Sequence, residues 1–259
     1  MSSSRFRADA APAELAKWQP ERLPCNPSET LFAALAVYHD SWPHSAAVNM
    51  AFDEALLEHA TVPSIRFYRW HSSALSFGYF GRFSDVVDYA SARDLVRRWT
   101  GGGIVFHGDD LTYSIVIPAN DAVFSESSMS IYEKVHRALR GALGGSGKRA
   151  VVAGGVDPGR SDIAKQANAD GYNCFANPVR ADLMMDGRKI AGAAQRRTRR
   201  GLLQQGSIQG IDVENGLAER FAAELSPNCE VRSIPKAVER RAREIAAQKY
   251  GAEAWLRKR

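Results

Sequence analysis

The chain has few cysteines and no long apolar run. Its three cysteines, Cys25, Cys174 and Cys229, form no CxxC pair, and such a sparse, odd set is neither a disulfide framework nor a zinc site. No run approaches the roughly 20 apolar residues that cross a bilayer, and the amino terminus has charges and prolines where a signal peptide needs an apolar core. We therefore expect a cytoplasmic protein with free thiols, no bound metal and no membrane contact.

Nucleotide-binding glycine loops are also missing. The stretch TGGGIVF, residues 100–106, lacks the GxGxxG spacing and leads into a predicted strand, where a dinucleotide-binding loop requires a helix. The stretch GGSGKR, residues 144–149, has Ala142 in place of the first glycine of a P-loop and Arg149 in place of its Ser or Thr. Neither stretch therefore predicts a phosphate-binding loop of these two types.

The charge and length of the chain set broad limits on its class. The 34 Lys and Arg residues against 29 Asp and Glu give a formal net charge of +5, which favours an acidic partner or an anionic substrate over a membrane. Residues 1–28 lack sustained periodicity, which predicts an arm. Residues 29–259 are long enough to bury a sizeable core, and we expect them to form a single domain with a helical carboxy-terminal tail.

Apolar periodicity predicts helices at four places. The first covers residues 46–60, and the second covers residues 84–95 with Ser84 as its N-cap. The third covers residues 128–143, where Ser130 and Glu133 have the spacing of a capping box. The fourth is a basic, amphipathic helix or helix pair over residues 233–258.

Strands alternate with these helices. Two are predicted at 64–70 and 74–80, joined by a turn, and three more at 96–100, 104–107 and 111–118. Asp186 and Gly187 predict a two-residue hairpin turn within 181–195, and a further strand follows at 202–212. Residues 144–171 have little pattern and could form a mobile loop. This order predicts an α/β or α+β domain with a central, largely antiparallel sheet.

The glycine triplet Gly101, Gly102 and Gly103 needs a separate explanation, because glycine weakens a strand. One interpretation is a bulge or a sharp turn. The other is a backbone wall without side chains, flanked by Arg97 and Arg98, against which an extended ligand can lie. The residues alone leave both possibilities open.

Several stretches together resemble one family. RRWTGGGIVFH is similar to the signature of the lipoate-protein ligases and octanoyltransferases, which are related to biotin ligases. The stretches VNMAFDEALLE, SIRFYRWHSSALSFGYF, HGDDLTYSIVIP, DGRKIAGAAQRR and GLLQQGSI follow the family order over roughly residues 46–210. The resemblance implies an α+β catalytic domain with a mostly antiparallel central sheet flanked by helices. It also implies that the glycines line an acyl tunnel, in which burying an octanoyl chain contributes on the order of 5 kcal/mol.

The resemblance implies one of two chemistries at a lysine and a cysteine. Octanoyltransferases take the acyl group from acyl carrier protein, in one branch through a cysteine nucleophile, and need no cofactor. Lipoate ligases instead make an acyl-adenylate and need ATP and magnesium. Lys189 matches the family lysine, although a solvated hairpin lysine is the alternative. Cys174, fifteen residues before it, matches the cysteine-dependent branch, although a small buried thiol is the alternative.

Some positions favour one chemistry over the other. LTYSIVIP resembles the transferases, whereas Gly103 as a third glycine resembles the ligases. Gln205 stands where the family usually has histidine, so this chain departs from the family pattern at that position. Only about 49 residues follow Gly210, which is too few for the accessory domain of many bacterial ligases and favours a transferase or a ligase with a separate accessory chain.

The resemblance further assigns acyl or substrate binding to a set of residues around these two. Arg98 could bind a carboxylate or phosphate, and His107 is given a site role without an assigned proton. We expect the other histidines to be structural or exposed. The full binding set is Arg98, Gly101, Gly102, Gly103, His107, Tyr113, Gly192 and Gln205.

A basic run follows the hairpin turn. It contains Arg188, Lys189, Arg196, Arg197, Arg199 and Arg200 with no acid among them. We do not expect nucleic acid as the partner, because no aromatic side chains are interleaved for base stacking. We expect a docking face for acidic partners, namely acyl carrier protein and lipoyl domains of 2-oxoacid dehydrogenases or the glycine cleavage H protein. A solvated run with no partner, and a family member that binds but does not catalyse, are the remaining alternatives.

Overall fold

The structure, a computed structural model, describes residues 30–144, 149–154, 179–213 and 216–258. Their strands form a large eight-stranded sheet and a small three-stranded sheet. In chain order the strands are β1 (Leu35–His44), β2 (Ser64–Trp70), β3 (Ala74–Phe77), β4 (Asp94–Arg97), β5 (Ile104–His107), β6 (Leu111–Pro118), β7 (Val151–Val152), β8 (Leu183–Met185), β9 (Arg188–Thr198), β10 (Gly201–Ile208) and β11 (Cys229–Val231).

The large sheet has the order β11-β1-β2-β6-β10-β9-β8-β7. Strand β1 runs parallel to both of its neighbours, β11 and β2. The other neighbouring pairs, β2-β6, β6-β10, β10-β9, β9-β8 and β8-β7, are antiparallel. The prediction of a mostly antiparallel central sheet is therefore confirmed. Its central strands β6 and β10 are buried along their whole length, because helices cover both faces of the sheet.

The helices are α1 (Ala46–His59), α2 (Ser128–Gly144), α3 (Leu217–Leu225), α4 (Lys236–Ile245) and α5 (Glu253–Leu256), with a π-helical turn at Ala246–Tyr250. Side chains of α2 and α3 pack with Tyr113 and Ile115 of β6 in one apolar cluster. Side chains of α1 and α4 pack with Val116 of β6 and Leu203 of β10 in another. The expected α+β fold, with helices on either side of the sheet, is confirmed. Within the described residues no helix is long and apolar enough to cross a membrane.

The small sheet has β3 at its centre, parallel to β4 and antiparallel to β5. The predicted strands at 64–70 and 74–80 both exist, but β2 belongs to the large sheet and β3 to the small one. The chain leaves the large sheet after Trp70, crosses the turn at 71–73 and starts the second sheet. The small sheet has its own apolar cluster around Leu75, Phe77 and Val86.

Two local predictions are wrong. Residues 84–95 form two short 3-10 turns, Phe83–Asp85 and Val87–Tyr89, and then enter β4. The Ser84 hydroxyl donates to Asp85 and does not cap a helix. Helix α2 is correct, but the hydroxyl of Ser127 accepts from the Ser130 amide at 3.1 Å, so the helix starts one turn earlier than the capping box of Ser130 and Glu133 requires.

The hairpin and the carboxy-terminal helices follow the sequence prediction. Asp186 and Gly187 both have positive φ angles, 51° and 78°, as a two-residue turn between antiparallel strands requires. The tail contains α4, the π-helical turn and α5. Residues 1–28 and most of 144–171 lie outside the described residues, although β7 forms a short strand inside the second range. The arm and the single domain therefore stay predictions.

Candidate active site

A cavity of about 140 Å³ lies between the two sheets. Strands β9 and β10 form one wall, and the small sheet with the glycine triplet forms the other. Gly102 and Val179 line the cavity and are also exposed to solvent, so they lie at its mouth. From the predicted binding set, the cavity is lined by Arg98, Gly102, His107, Gly192 and Gln205, and the predicted catalytic residue Lys189 lines it as well.

Lys189 is buried at this cavity. Its side chain is 4% exposed, and Nζ lies 2.8 Å from Oδ2 of Asp182, which is fully buried. The hydroxyl of Tyr132, on α2, donates to Asp182 Oδ1 at 2.5 Å, and the Val179 amide donates to Oδ2 at 2.7 Å. Two donors besides the ammonium thus hold the carboxylate, and the carboxylate in turn holds the ammonium. A charged pair in an apolar cavity needs such support, because each ion has lost its water.

Gly192 leaves the space that the lysine side chain occupies. A Cβ atom at this position would lie 2.5 Å from Cε and 2.6 Å from Nζ of Lys189. Lys189 and Gly192 lie three residues apart on β9, next to the place where the register between β8 and β9 shifts. Gly192 therefore determines where the ammonium lies, and does not itself need an unusual backbone angle.

Several donors fix the glycine triplet from behind. The Arg98 guanidinium donates to the carbonyls of Gly101 and Gly103 at 3.1 and 2.8 Å. The Tyr79 amide donates to the Thr100 carbonyl at 2.9 Å. A Cβ at Gly78 would lie 2.0 Å from the Gly102 carbonyl oxygen, so two glycine backbones are in contact here.

His107 lies in a buried hydrogen-bond relay. Arg98 Nη1 donates to Ser76 Oγ at 2.7 Å, and Ser76 Oγ lies 2.7 Å from His107 Nε2. Because that hydroxyl already accepts from Arg98, its own proton is directed at Nε2. The Nδ1–H of His107 then donates to Asp110 Oδ2 at 2.8 Å. Burial lowers the pKa of His107, partly offset by Asp110, so the neutral ring with its proton on Nδ1 is the favoured form.

Gln205 joins the triplet to the core beneath it. Its amide nitrogen donates to Asp53 Oδ2 at 2.7 Å, and its amide oxygen accepts from Thr100 Oγ1 at 2.7 Å. Asp53, on α1, also accepts from Arg66 Nη1 at 2.9 Å and from Ser114 Oγ at 2.6 Å. An amide can donate and accept at once. The Gln205 amide therefore links Asp53 of α1 to Thr100, the residue before the triplet.

Tyr113 lies in the apolar cluster that α2 and α3 form against the large sheet. Its ring packs edge-on against Phe221 and beneath Gly206, and its hydroxyl lies 3.3 Å from His136 Nε2. Burial raises the pKa of Tyr113 and lowers that of His136 to about 4. Tyr113 is absent from the lining of the described cavity. Its predicted binding role therefore has no support from this geometry.

The structure describes the surroundings of one cysteine, Cys229, and of the residues in the basic run. Cys174 lies outside the described residues, so its role stays a prediction. Cys229 donates to backbone carbonyls near α3, and burial raises its pKa to about 11. The residues of the basic run have different surroundings, since the Lys189 side chain is buried while Arg197 donates to the carbonyls of Phe124 and Glu126. These residues do not form one continuous face.

Sequence reasoning missed the residues that hold the site. Asp182 and Tyr132 support Lys189, and Ser76 and Asp110 support His107. One signal was available, because Asp110 follows His107 by three residues in HGDD. Asp182 lies seven residues before Lys189 across the hairpin turn, whereas Tyr132 and Ser76 are far from their partners in the chain and only the fold brings them together.

One catalytic-domain family matches most of the chain. Residues 45–248 match the lipoyl protein ligase A/B catalytic domain, and the chain belongs to this family.

The curated relatives are named as transferases. The chain is 40% identical over 179 residues to octanoyltransferase LipM of Oceanobacillus iheyensis, covering 65% of this chain and 62% of that protein. It is 36% identical to LipM of Staphylococcus aureus, covering 64% and 63%. It is 32% identical to LipM of Bacillus cereus, covering 78% and 73%. The matches to the first two relatives span less than two thirds of their length.

Solved ligases share the fold. A lipoate-protein ligase A bound with ATP has a TM-score of 0.68 at 21% identity, covering 87% of this chain and 98% of that one. The bi-partite lipoate protein ligase of Thermoplasma acidophilum, described together with its E2 lipoyl domain, has a TM-score of 0.63 at 21% identity, covering 87% and 96%. At this identity the likeness establishes the fold alone.

Proposed function

We propose that this protein transfers an octanoyl group to the lysine of a lipoyl domain, from the thioester of acyl carrier protein. The observation that carries the proposal is the cavity that joins the glycine wall to a buried ammonium. Gly102 and Lys189 line the same cavity of about 140 Å³. The names of the relatives that are 32–40% identical support transfer over ligation.

In the proposed first step, the Cys174 thiolate attacks the thioester carbonyl of the donor, and the thiolate of the carrier leaves. The product is an octanoyl thioester on Cys174. The Lys189 ammonium, held by Asp182, donates a hydrogen bond to the carbonyl oxygen as negative charge develops there. Such a donor accelerates acyl transfer because it is already oriented before the reaction.

In the second step, the neutral amine of the acceptor lysine attacks the acyl-cysteine carbonyl. The amide forms, the cysteine leaves as a thiolate, and the amine releases a proton to solvent. Both steps exchange one acyl bond for another, so no oxidant and no nucleotide are consumed. The proposal therefore requires no cofactor.

ATP-dependent ligation is the second candidate. The ATP-bound ligase shares the fold, and the third glycine, Gly103, resembles the ligase signature. That route would activate free octanoate or lipoate as an adenylate and would need ATP and magnesium. Among the described residues, no three His, Cys, Asp or Glu side chains are grouped as they would be around a metal ion.

One reaction series separates the candidates. Purified protein is incubated with an apo lipoyl domain and either octanoyl-acyl carrier protein or octanoate, ATP and magnesium, and intact masses are measured. We expect one octanoyl group on the domain from the thioester alone. Modification only in the mixture with ATP would instead establish the ligase, and no modification in either mixture would refute both.

The acyl-enzyme tests the cysteine. Without an acceptor, the protein should gain one octanoyl group from octanoyl-acyl carrier protein, and Cys174→Ala should gain none. Cys229→Ala is the matched control, because its thiol is engaged with carbonyls near α3 and it should be acylated like the parent. Acylation of Cys174→Ala at the parent rate would exclude the nucleophile role.

A further inference from the structure

A buried arginine fixes the turn that carries one of the most exposed aromatic residues of the described chain. Phe80 is 84% exposed. Arg97 is 1% exposed, and its Nη1 donates to the carbonyls on either side of Phe80, those of Tyr79 at 2.8 Å and Gly81 at 2.6 Å. The same guanidinium donates to the Leu256 and Lys258 carbonyls at 3.0 and 2.6 Å. The carboxy-terminal turn and the Phe80 turn are thereby held together.

This turn lies beside the mouth of the cavity. Gly78 contacts the Gly102 carbonyl, and the Tyr79 amide binds the Thr100 carbonyl. Gly102 is exposed and lines the cavity. A protein that binds Phe80 would therefore contact the rim through which the acyl carbonyl is reached.

Cations surround the turn. The Arg82 side chain is 75% exposed, Lys258 Nζ lies 2.7 Å from the Tyr79 hydroxyl, and Arg196 lies over the Tyr79 ring. Arg257 adds a fourth cation, over the Phe83 ring. Two acids, Asp85 and Glu253, contact these cations. The balance is positive, so an acidic surface is the complementary one.

We infer that residues 79–82 form the docking element for the acidic protein domain that presents the acceptor lysine, with Phe80 as its apolar anchor. A large aromatic side chain on a rigid backbone loses little entropy on binding, which is typical of residues that dominate interfaces. The inference rests on the proposed function. We assign the element to the acceptor because both candidate chemistries use that domain, whereas only one uses a carrier-bound donor.

The test is the affinity of an apo lipoyl domain for the protein, measured by titration with a fluorescent label on the domain. Phe80→Ser should weaken binding at least tenfold, as expected for loss of a central aromatic anchor. Trp42→Ser is the matched control, because Trp42 is 79% exposed on β1, and it should bind like the parent. Arg82→Glu should weaken binding, and added salt should weaken the parent complex.

Kinetics give a second, independent measurement. Phe80→Ser should lower kcat/KM for the intact domain but leave transfer to a short lysine peptide unchanged, since a peptide cannot reach the anchor. Unchanged affinity in Phe80→Ser, or an equal loss in Trp42→Ser, would overturn the inference. If Phe80→Ser is impaired only in acylation by octanoyl-acyl carrier protein, the turn binds the donor instead, and the inference is likewise overturned. If the parent transfers nothing, the proposed function fails, while the titration still decides the docking.

Discussion

Replacing Gly192 by alanine should disable the chemistry while leaving the fold intact. The added Cβ would lie 2.6 Å from Lys189 Nζ, and ordinary contact begins near 3.4 Å, so the ammonium must retreat by about 0.8 Å. Two neighbours must move, namely the flexible end of Lys189 and, by a few tenths of an ångström, Asp182 Oδ1 at 3.2 Å. Both are side-chain atoms, which can shift without moving the sheet.

The expected effect on the rate of transfer is large, whereas the expected effect on stability is small. A displacement near 1 Å at a catalytic group costs on the order of 100-fold in rate, so kcat for octanoyl transfer should fall by about that factor. The pair with Asp182 is lengthened from 2.8 Å but not removed. The free energy of unfolding should therefore change by less than about 2 kcal/mol, because complete loss of one buried partner costs roughly 3–5 kcal/mol.

The assay combines single-turnover transfer, followed by intact mass, with urea unfolding of the same preparations. Gly144→Ala, at the end of α2 where a Cβ would meet nothing within 4 Å, should match the parent in both measurements. Parent-like turnover by Gly192→Ala would refute the argument that the position of the Lys189 ammonium matters. Global unfolding of that variant would refute the argument that only the side chain yields.

Three further predictions concern Lys189, Asp182 and His136. Lys189→Ala should abolish transfer from the thioester and also ligation with ATP, and normal turnover measured by intact mass would overturn its assignment. Asp182→Asn should destabilise the protein by about 3 kcal/mol in urea, because the buried ammonium loses its carboxylate partner, and a loss under 1 kcal/mol would contradict this. His136 has its pKa lowered to about 4 by burial, so the unfolded chain binds more protons between about pH 4 and 6.5, and stability should fall as the pH drops through that range. We expect His136 to account for about 2 kcal/mol of the loss between pH 7 and 5, and His136→Gln should show a correspondingly smaller loss of unfolding free energy over the same range.

The sequence predicted most elements because their signals are local. The helix at α1, the hairpin around Asp186 and Gly187, and the buried strands β6 and β10 each follow from spacing within about fifteen residues. The prediction for residues 84–95 was wrong because it also relied on local periodicity, which there resembles that of a helix. In the structure the last two of these residues, Asp94 and Leu95, pair with β3 as part of a strand. Pairing with a distant strand outweighed the local preference.

The sequence by itself determined the family and predicted roles for Lys189 and the glycine triplet, because each is marked by a short stretch of characteristic residues. Only the tertiary structure decided what surrounds them. Lys189 meets Asp182 through a register shift, His107 meets Ser76 across the small sheet, and Arg97 reaches a turn and the carboxy-terminal segment at once. These contacts depend on how separate strands and the carboxy-terminal segment align, and no local pattern of residues encodes that alignment.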